Sequence, residues 1–291
     1  MEPIKSFGKL DWSKPLDPEK MRLDQATDYL IRVLDMLDET YGLKGKCVAD
    51  IGGSNISPEI ASFYGMKKMV CVDPVTRWYS DLGYDIQNTR YAQLDLVTNA
   101  HFQDAWENKS YFIMDEPAEQ LTHDLDCKFD IIVSMSTFEH VDSVEETMNS
   151  IYRMLHSGGG ILFASYEPLF TCAKGHHVWV NEELCFAKLP ELDFFHLKYT
   201  YEEAKAFLKG FEKFDGFIDT ILEQTYHSHV INRKTFQQHI DEISRSHFRN
   251  YVIDYWYRDQ EPSPEDLARI KERFGEQRYD VRGIAVTAFK D

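Results

Sequence analysis

The chain has 291 residues, 43% of them apolar, enough to bury one large core or a core with a smaller cap. Its 32 Lys and Arg stand against 49 Asp and Glu, a formal net charge of -17, and the basic residues come in pairs rather than runs. That balance repels phosphate backbones and anionic lipid surfaces, so neither a nucleic acid nor a membrane is an expected partner. Met1 to Lys14 lacks the apolar stretch of a secretion signal, and runs such as Ile131-Ile132-Val133 fall far short of the ~20 residues that span a bilayer. The five cysteines show no CxxC spacing. A cytoplasmic protein without disulfides is therefore expected, its oligomeric state left open.

Asp17-Pro18 opens a helical pattern running to residue 41, with Met21, Leu30, Val33, Leu34 and Leu37 at helical spacing. After Gly45, Lys46 to Ile51 reads as a buried strand, Pro58 to Tyr64 as a short helix and Met69 to Val72 as a second strand. Arg90 to Leu94 reads as a third strand, Phe129 to Ser134 as a fourth, Val144 to Leu155 as a helix and Ile161 to Ser165 as a fifth strand. Thr235 to Ser246 and Pro264 to Phe274 read as helices, Asn250 to Trp256 and Gly283 to Phe289 as strands. This alternation predicts an α/β fold, doubly wound on a mostly parallel, seven-stranded sheet, with ligands beyond the carboxyl ends of the strands. Four segments are expected: an N-terminal helical segment (1–44), an α/β core (45–165), an inserted cap rich in aromatics and histidine (166–232), and a completion of the core (233–291). Residues 97–128 read as a second, acidic insertion.

The first strand ends in Asp50-Ile51-Gly52-Gly53, a turn where a Cβ would keep a ligand from the backbone. Asp73 closes the second strand, where an acid accepts two hydrogen bonds from a ribose diol. A dinucleotide would need the GxGxxG cradle for its pyrophosphate. Here Ser54-Asn55-Ile56-Ser57 follows Gly53 with no basic residue nearby, which suits a nucleoside without phosphate.

Five motifs stand in order: Val48 to Gly53, Val70 to Asp73, Leu94-Asp95-Leu96, Phe129 to Ser134 followed by Phe138-Glu139-His140-Val141, and Leu155 to Gly160. On these residues the chain resembles the class I S-adenosylmethionine-dependent methyltransferases, and it is identified as a member of that family. The resemblance implies the Rossmann-like sheet and S-adenosyl-L-methionine as methyl donor, bound by Asp50, Gly52, Gly53, Asp73 and Pro74. It further implies Asp95 and Leu96 at the adenine, and Ser134 at the end of the fourth strand. Ser54 and Ile56 stand where the family's loop usually has glycine.

The acceptor is expected to be a small molecule, and O-methylation of a polar metabolite or saccharide is the leading expectation. The alternatives are N- or carboxyl-methylation of a small molecule or peptide, and a non-catalytic binding or assembly module on the same fold. A hydroxyl acceptor wants a base near neutral pKa, so His140, His176 and His177 are the catalytic candidates. Adjacent residues on extended chain point opposite ways, so one of His176 and His177 is expected to face the site. Trp179 offers a stacking surface, and His227, His229, Asn232 and Arg233, at a junction similar to that of sugar methyltransferases, are candidate substrate contacts. In ubiquinone-type O-methyltransferases a Glu-His pair like Glu139-His140, with a further Glu upstream, helps bind a divalent metal. Ser136 holds the matching upstream position here, and no metal is expected.

Overall fold

Thr27 accepts the Leu30 N–H and so starts the first long helix, α1 (Asp28–Tyr41), which Gly42 ends at a φ of 71°. The residues before Thr27, expected to extend this helix, form only a 3-10 turn at Lys20–Arg22. These positions belong to a computed structural model, which describes residues 10–53, 55–81, 85–228, 231–257 and 261–291. Next come β1 (Cys47–Ile51), α2 (Pro58–Phe63) with Ser57 as its N-cap, β2 (Lys68–Val72) and α3 (Val75–Asp81).

The strand expected at Arg90 to Leu94 is a 3-10 turn, because the Thr89 side chain accepts the Tyr91 N–H and caps it. The chain instead pairs through β3 (Leu96–Val97) and β4 (Tyr111–Met114), joined by α4 (Phe102–Asn108). The first part of the stretch read as an acidic insertion therefore builds sheet. It is followed by β5 (Ile131–Met135), α5 (Val144–Met154) and β6 (Gly160–Tyr166). The short helices α6 (Phe195–Lys198), α7 (Tyr201–Leu208) and α8 (Ile218–Tyr226) follow, then α9 (Phe236–Arg245), β7 (Asn250–Tyr257), α10 (Pro264–Phe274) and β8 (Val281–Lys290).

Among the described residues the sheet has eight strands rather than the expected seven, in the order β3-β4-β2-β1-β5-β6-β8-β7. The added strand is the two-residue edge β3. Strands β3 to β6 are parallel, and β8 runs antiparallel between β6 and β7. Alternate strand residues feed two layers. Ala49, Val70, Ile132 and Leu162 join α4, α5 and α9 on one face; Val48, Cys71, Val133 and Phe163 join α1 and α2 on the other. The segment between β6 and α9 packs a smaller core of its own around Val178, Phe195, Leu208 and Leu222. Strand order reverses at β1, which lies between β2 and β5, so the crevice that binds ligands in doubly wound sheets opens at the carboxyl ends of β1 and β5. No helix among the described residues is long and apolar enough to cross a membrane.

Candidate active site

At the end of β1 the backbone turns through Gly52 (φ 81°) and Gly53 (φ 68°), and the Gly52 N–H donates to Val72 O at 2.7 Å. A Cβ on Gly52 would land inside the Thr137 side chain, whose hydroxyl donates to Ile51 O at 3.0 Å. Gly52 is thus required by both its φ and its neighbour. Asp50 is fully buried beneath this turn, and its Oδ2 accepts the Asn55 N–H at 2.8 Å, which shapes the loop from below. Asp73, half-buried at the end of β2, donates its N–H to Met114 O and so fixes the end of β4 beside it. The next residue after β4, Asp115, accepts from the Thr76 backbone N–H at 2.9 Å and from the Thr76 hydroxyl at 2.5 Å. A pocket of about 150 Å³ opens above the turn, lined by Gln25, Thr27, Tyr29 and Leu30 from the N-terminal side and by Asn55, Met135 and Ser136.

A second cluster lies just past Thr137. Glu139 is 1% exposed, and neither carboxylate oxygen has a hydrogen-bond partner among the described residues. Burial pushes its pKa well above the usual carboxylate range; its own and Glu167's N–H groups lie near enough to offset part of that cost but make no bond of normal geometry. His140 Nε2 stands 3.9 Å from Glu139 Oε1. The His177 ring packs on His140 with centroids 5.2 Å apart, and Trp78 closes the other side of His140 at 5.4 Å. His177 has a left-handed backbone, φ 51°, two residues after Gly175, where a Cβ would run into the Leu169 and Phe170 carbonyls. Burial lowers the His177 pKa to about 3, with the neighbouring His140 and His196 adding to the shift.

Asn232 holds this cluster in place. Its side-chain amide donates to Phe138 O at 2.8 Å and Val141 O at 3.0 Å, and its backbone N–H donates to Glu139 O at 2.9 Å. Three bonds from one residue fix the turn that carries Glu139 and His140.

A family model described as a methyltransferase domain matches residues 44–275, most of the chain. The chain belongs to the methyltransferase-domain family. It is an S-adenosylmethionine-dependent methyltransferase, and S-adenosylmethionine is its cofactor. No curated protein matches the sequence at a significant level. Similar solved structures include an S-adenosylmethionine-dependent methyltransferase from Mesorhizobium loti, at 12% identity over 87% of this chain and 94% of that one, TM-score 0.42. Phosphoethanolamine N-methyltransferase 2 from Haemonchus contortus is similar at 12% identity over 88% of this chain and 51% of that one, TM-score 0.44.

Several residues singled out in the sequence of the methyltransferase stand elsewhere than expected. Asp95 lies at the amino end of the edge strand β3, its side chain 73% exposed and paired with Lys109 at 2.8 Å, and Leu96 follows it there. A parallel strand presents ligands at its carboxyl end, and the acid that stands there on β4 is Asp115, next to Asp73. The run Tyr111 to Met114 closing on an acid was the sequence signal for it. The Ser134 hydroxyl is buried and donates to Ile51 O at 2.9 Å, which uses it to staple β5 to β1. His176 turns away from His177 into the cap, its Nδ1 accepting the Val178 N–H. Trp179, 55% exposed, is one ring further out, against Phe186, which also touches His177. His227 is exposed beside Tyr201. Arg233 donates to the Thr225 and Ser228 carbonyls and closes the end of α8. His229, like Ser54, falls outside the described residues. Tyr29, Trp78 and Thr137 carried no motif and were missed.

Proposed function

We propose that this methyltransferase methylates a hydroxyl oxygen of a small polar acceptor, a metabolite or saccharide, received at the Glu139–His140–His177 cluster. One observation carries the reading: two imidazoles and a buried carboxylate meet beside the turn that packs on Gly52, at the switch point of the sheet. S-adenosylmethionine supplies an electrophilic methyl group on a sulfonium. The residues present fit it. Gly52 keeps the loop free of a side chain, Asp73 offers a carboxylate to ribose hydroxyls, and Asp115 stands beside it for the adenine side. The pocket of about 150 Å³ is below the roughly 300–1,000 Å³ usual for such ligands.

A hydroxyl must lose its proton to become a good nucleophile. His176 and His177 are held neutral by burial, with pKa values far below the pH of a working general base. The cluster therefore acts by holding the acceptor hydroxyl, whose proton passes to solvent water as its oxygen takes the methyl group from the sulfonium. Methyl-labelled S-adenosylmethionine, incubated with the enzyme and matched panels of polyols, saccharides, phenols and amines, tests this. Label in base-stable ethers supports the reading, and label confined to amines or esters removes it.

A further inference from the structure

We propose that Glu139, His140 and His177 bind one divalent first-row transition-metal ion, of the Zn2+, Mn2+ or Fe2+ type, with open positions that take the acceptor oxygen. The acceptor half of this inference rests on the functional reading above; the ion-binding half stands by itself.

One ligand atom from each of the three residues lies within 4.8 Å of the other two. Donors held at about 2.0–2.2 Å from an ion sit roughly 3–4 Å apart, so small side-chain rotations close the set. The Glu139 carboxylate is buried with both oxygens unpartnered, and His177 Nδ1 is buried without a partner among the described residues. Buried polar atoms are hydrogen-bonded as a rule, and buried charges are paired or bound to metal. Two orphaned donors of metal-ligand type facing one another are thus explained together by one cation.

The chain also holds these groups in advance. Asn232 fastens both sides of the Glu139–His140 turn, and Gly175 with the left-handed His177 directs that imidazole across from the neighbouring strand. Trp78 and Phe186 wall the cluster on either side. The sequence argued against a metal because Ser136 occupies the upstream acid position. The structure supplies the third ligand from beyond β6 instead, where spacing along the chain gives no hint of it. Two imidazoles and one carboxylate suit zinc, manganese or iron, whereas magnesium and calcium prefer all-oxygen sets. Three protein ligands leave positions open, as in catalytic rather than structural sites. A hydroxyl bound there ionises more readily: the metal–oxygen bond forms, the O–H bond breaks, and the proton passes to solvent water.

The test uses the full chain, stripped with a chelator and titrated with Co2+, with and without S-adenosylhomocysteine. Visible d–d absorption reports coordination, and calorimetry gives stoichiometry. The expected result is one ion per chain, with affinity reduced at least tenfold in both Glu139→Gln and His177→Asn. The folding of each variant is checked by S-adenosylhomocysteine affinity, expected to stay within about twofold because neither side chain lies in the glycine loop. Absence of stoichiometric binding by the wild type overturns the site, as does binding that both substitutions leave intact. Loss of S-adenosylhomocysteine binding in the wild type would instead overturn the functional reading, while the Co2+ spectrum still decides the ion site.

Discussion

In the sheet, β1, β5 and β6 are buried at every position, and polar side chains among them are engaged within the core: Ser134 with Ile51 O, Asp50 with the Asn55 N–H, and the Tyr166 hydroxyl with the His239 ring at 3.3 Å. In the cap between Glu167 and Ile231, Thr171 Oγ1, His176 Nε2 and His196 Nδ1 are buried without partners among the described residues, and Lys174 pairs with Asp193 at 2.6 Å, each side chain 9% exposed. The sheet spends its hydrogen-bonding capacity on holding its own shape. The cap and its junction with the sheet retain capacity, and the proposed function puts the acceptor there. Unsatisfied buried groups cost stability, so on that reading the cap gives up stability for recognition.

The widest test of that contrast is Gly52→Ala. The added Cβ meets Thr137 and forces a non-glycine residue to a φ of 81°. A loss of about 2–4 kcal/mol in urea unfolding is expected, together with loss of S-adenosylhomocysteine binding. Near-normal binding would show that the loop is as plastic as the cap.

Acid gives the next largest effect. Burial lowers His176 well below its ordinary value and His177 and His196 to about 3, all in the cap; His239, against Tyr166 in the core, falls to about 4. These groups are neutral when folded and take up protons below about pH 6.5 when unfolded, so stability falls as pH drops from there toward the folded values. Hydrogen exchange at pH 5 and 7.5 should show the cap amides losing protection before the sheet. Parallel loss in both regions would remove the distinction.

Asn232→Ala should lower kcat by about 10- to 100-fold, because it releases the turn bearing Glu139 and His140, while S-adenosylhomocysteine affinity holds. Equal losses in both would make Asn232 a general stabiliser. Asp73→Ala should weaken S-adenosylhomocysteine by roughly 10- to 100-fold, the worth of hydrogen bonds to a charged group. Asp95→Ala should change neither that affinity nor, beyond about 0.5 kcal/mol, the stability, since its partner Lys109 is a surface ion pair.

The buried parallel strands were legible because they are continuous apolar runs ended by acids and glycines, as at Val48 to Gly53 and Val70 to Asp73. Between β2 and β5 that signal divided: Arg90 to Leu94 drew the strand assignment, and Tyr111 to Met114 was passed over. Runs of four or five residues carry too little periodicity to tell a capped 3-10 turn from a strand. The placing of His177 against His140 was partly legible, since one of the two adjacent histidines was expected to face the site. The function of Asn232 was not, because its partners Phe138 and Val141 lie 94 and 91 residues away. A polar side chain seen in sequence looks the same whether it awaits a substrate or already grips a distant carbonyl.

That grip bears on how this scaffold can be re-engineered. A cap exchanged between family members at residue 231 or earlier keeps Asn232 with the core, and the Glu139 turn stays anchored whatever is grafted above it. A splice placed after Asn232 removes the anchor along with the old cap, so the chimera would lose its acceptor geometry even with every cofactor contact retained.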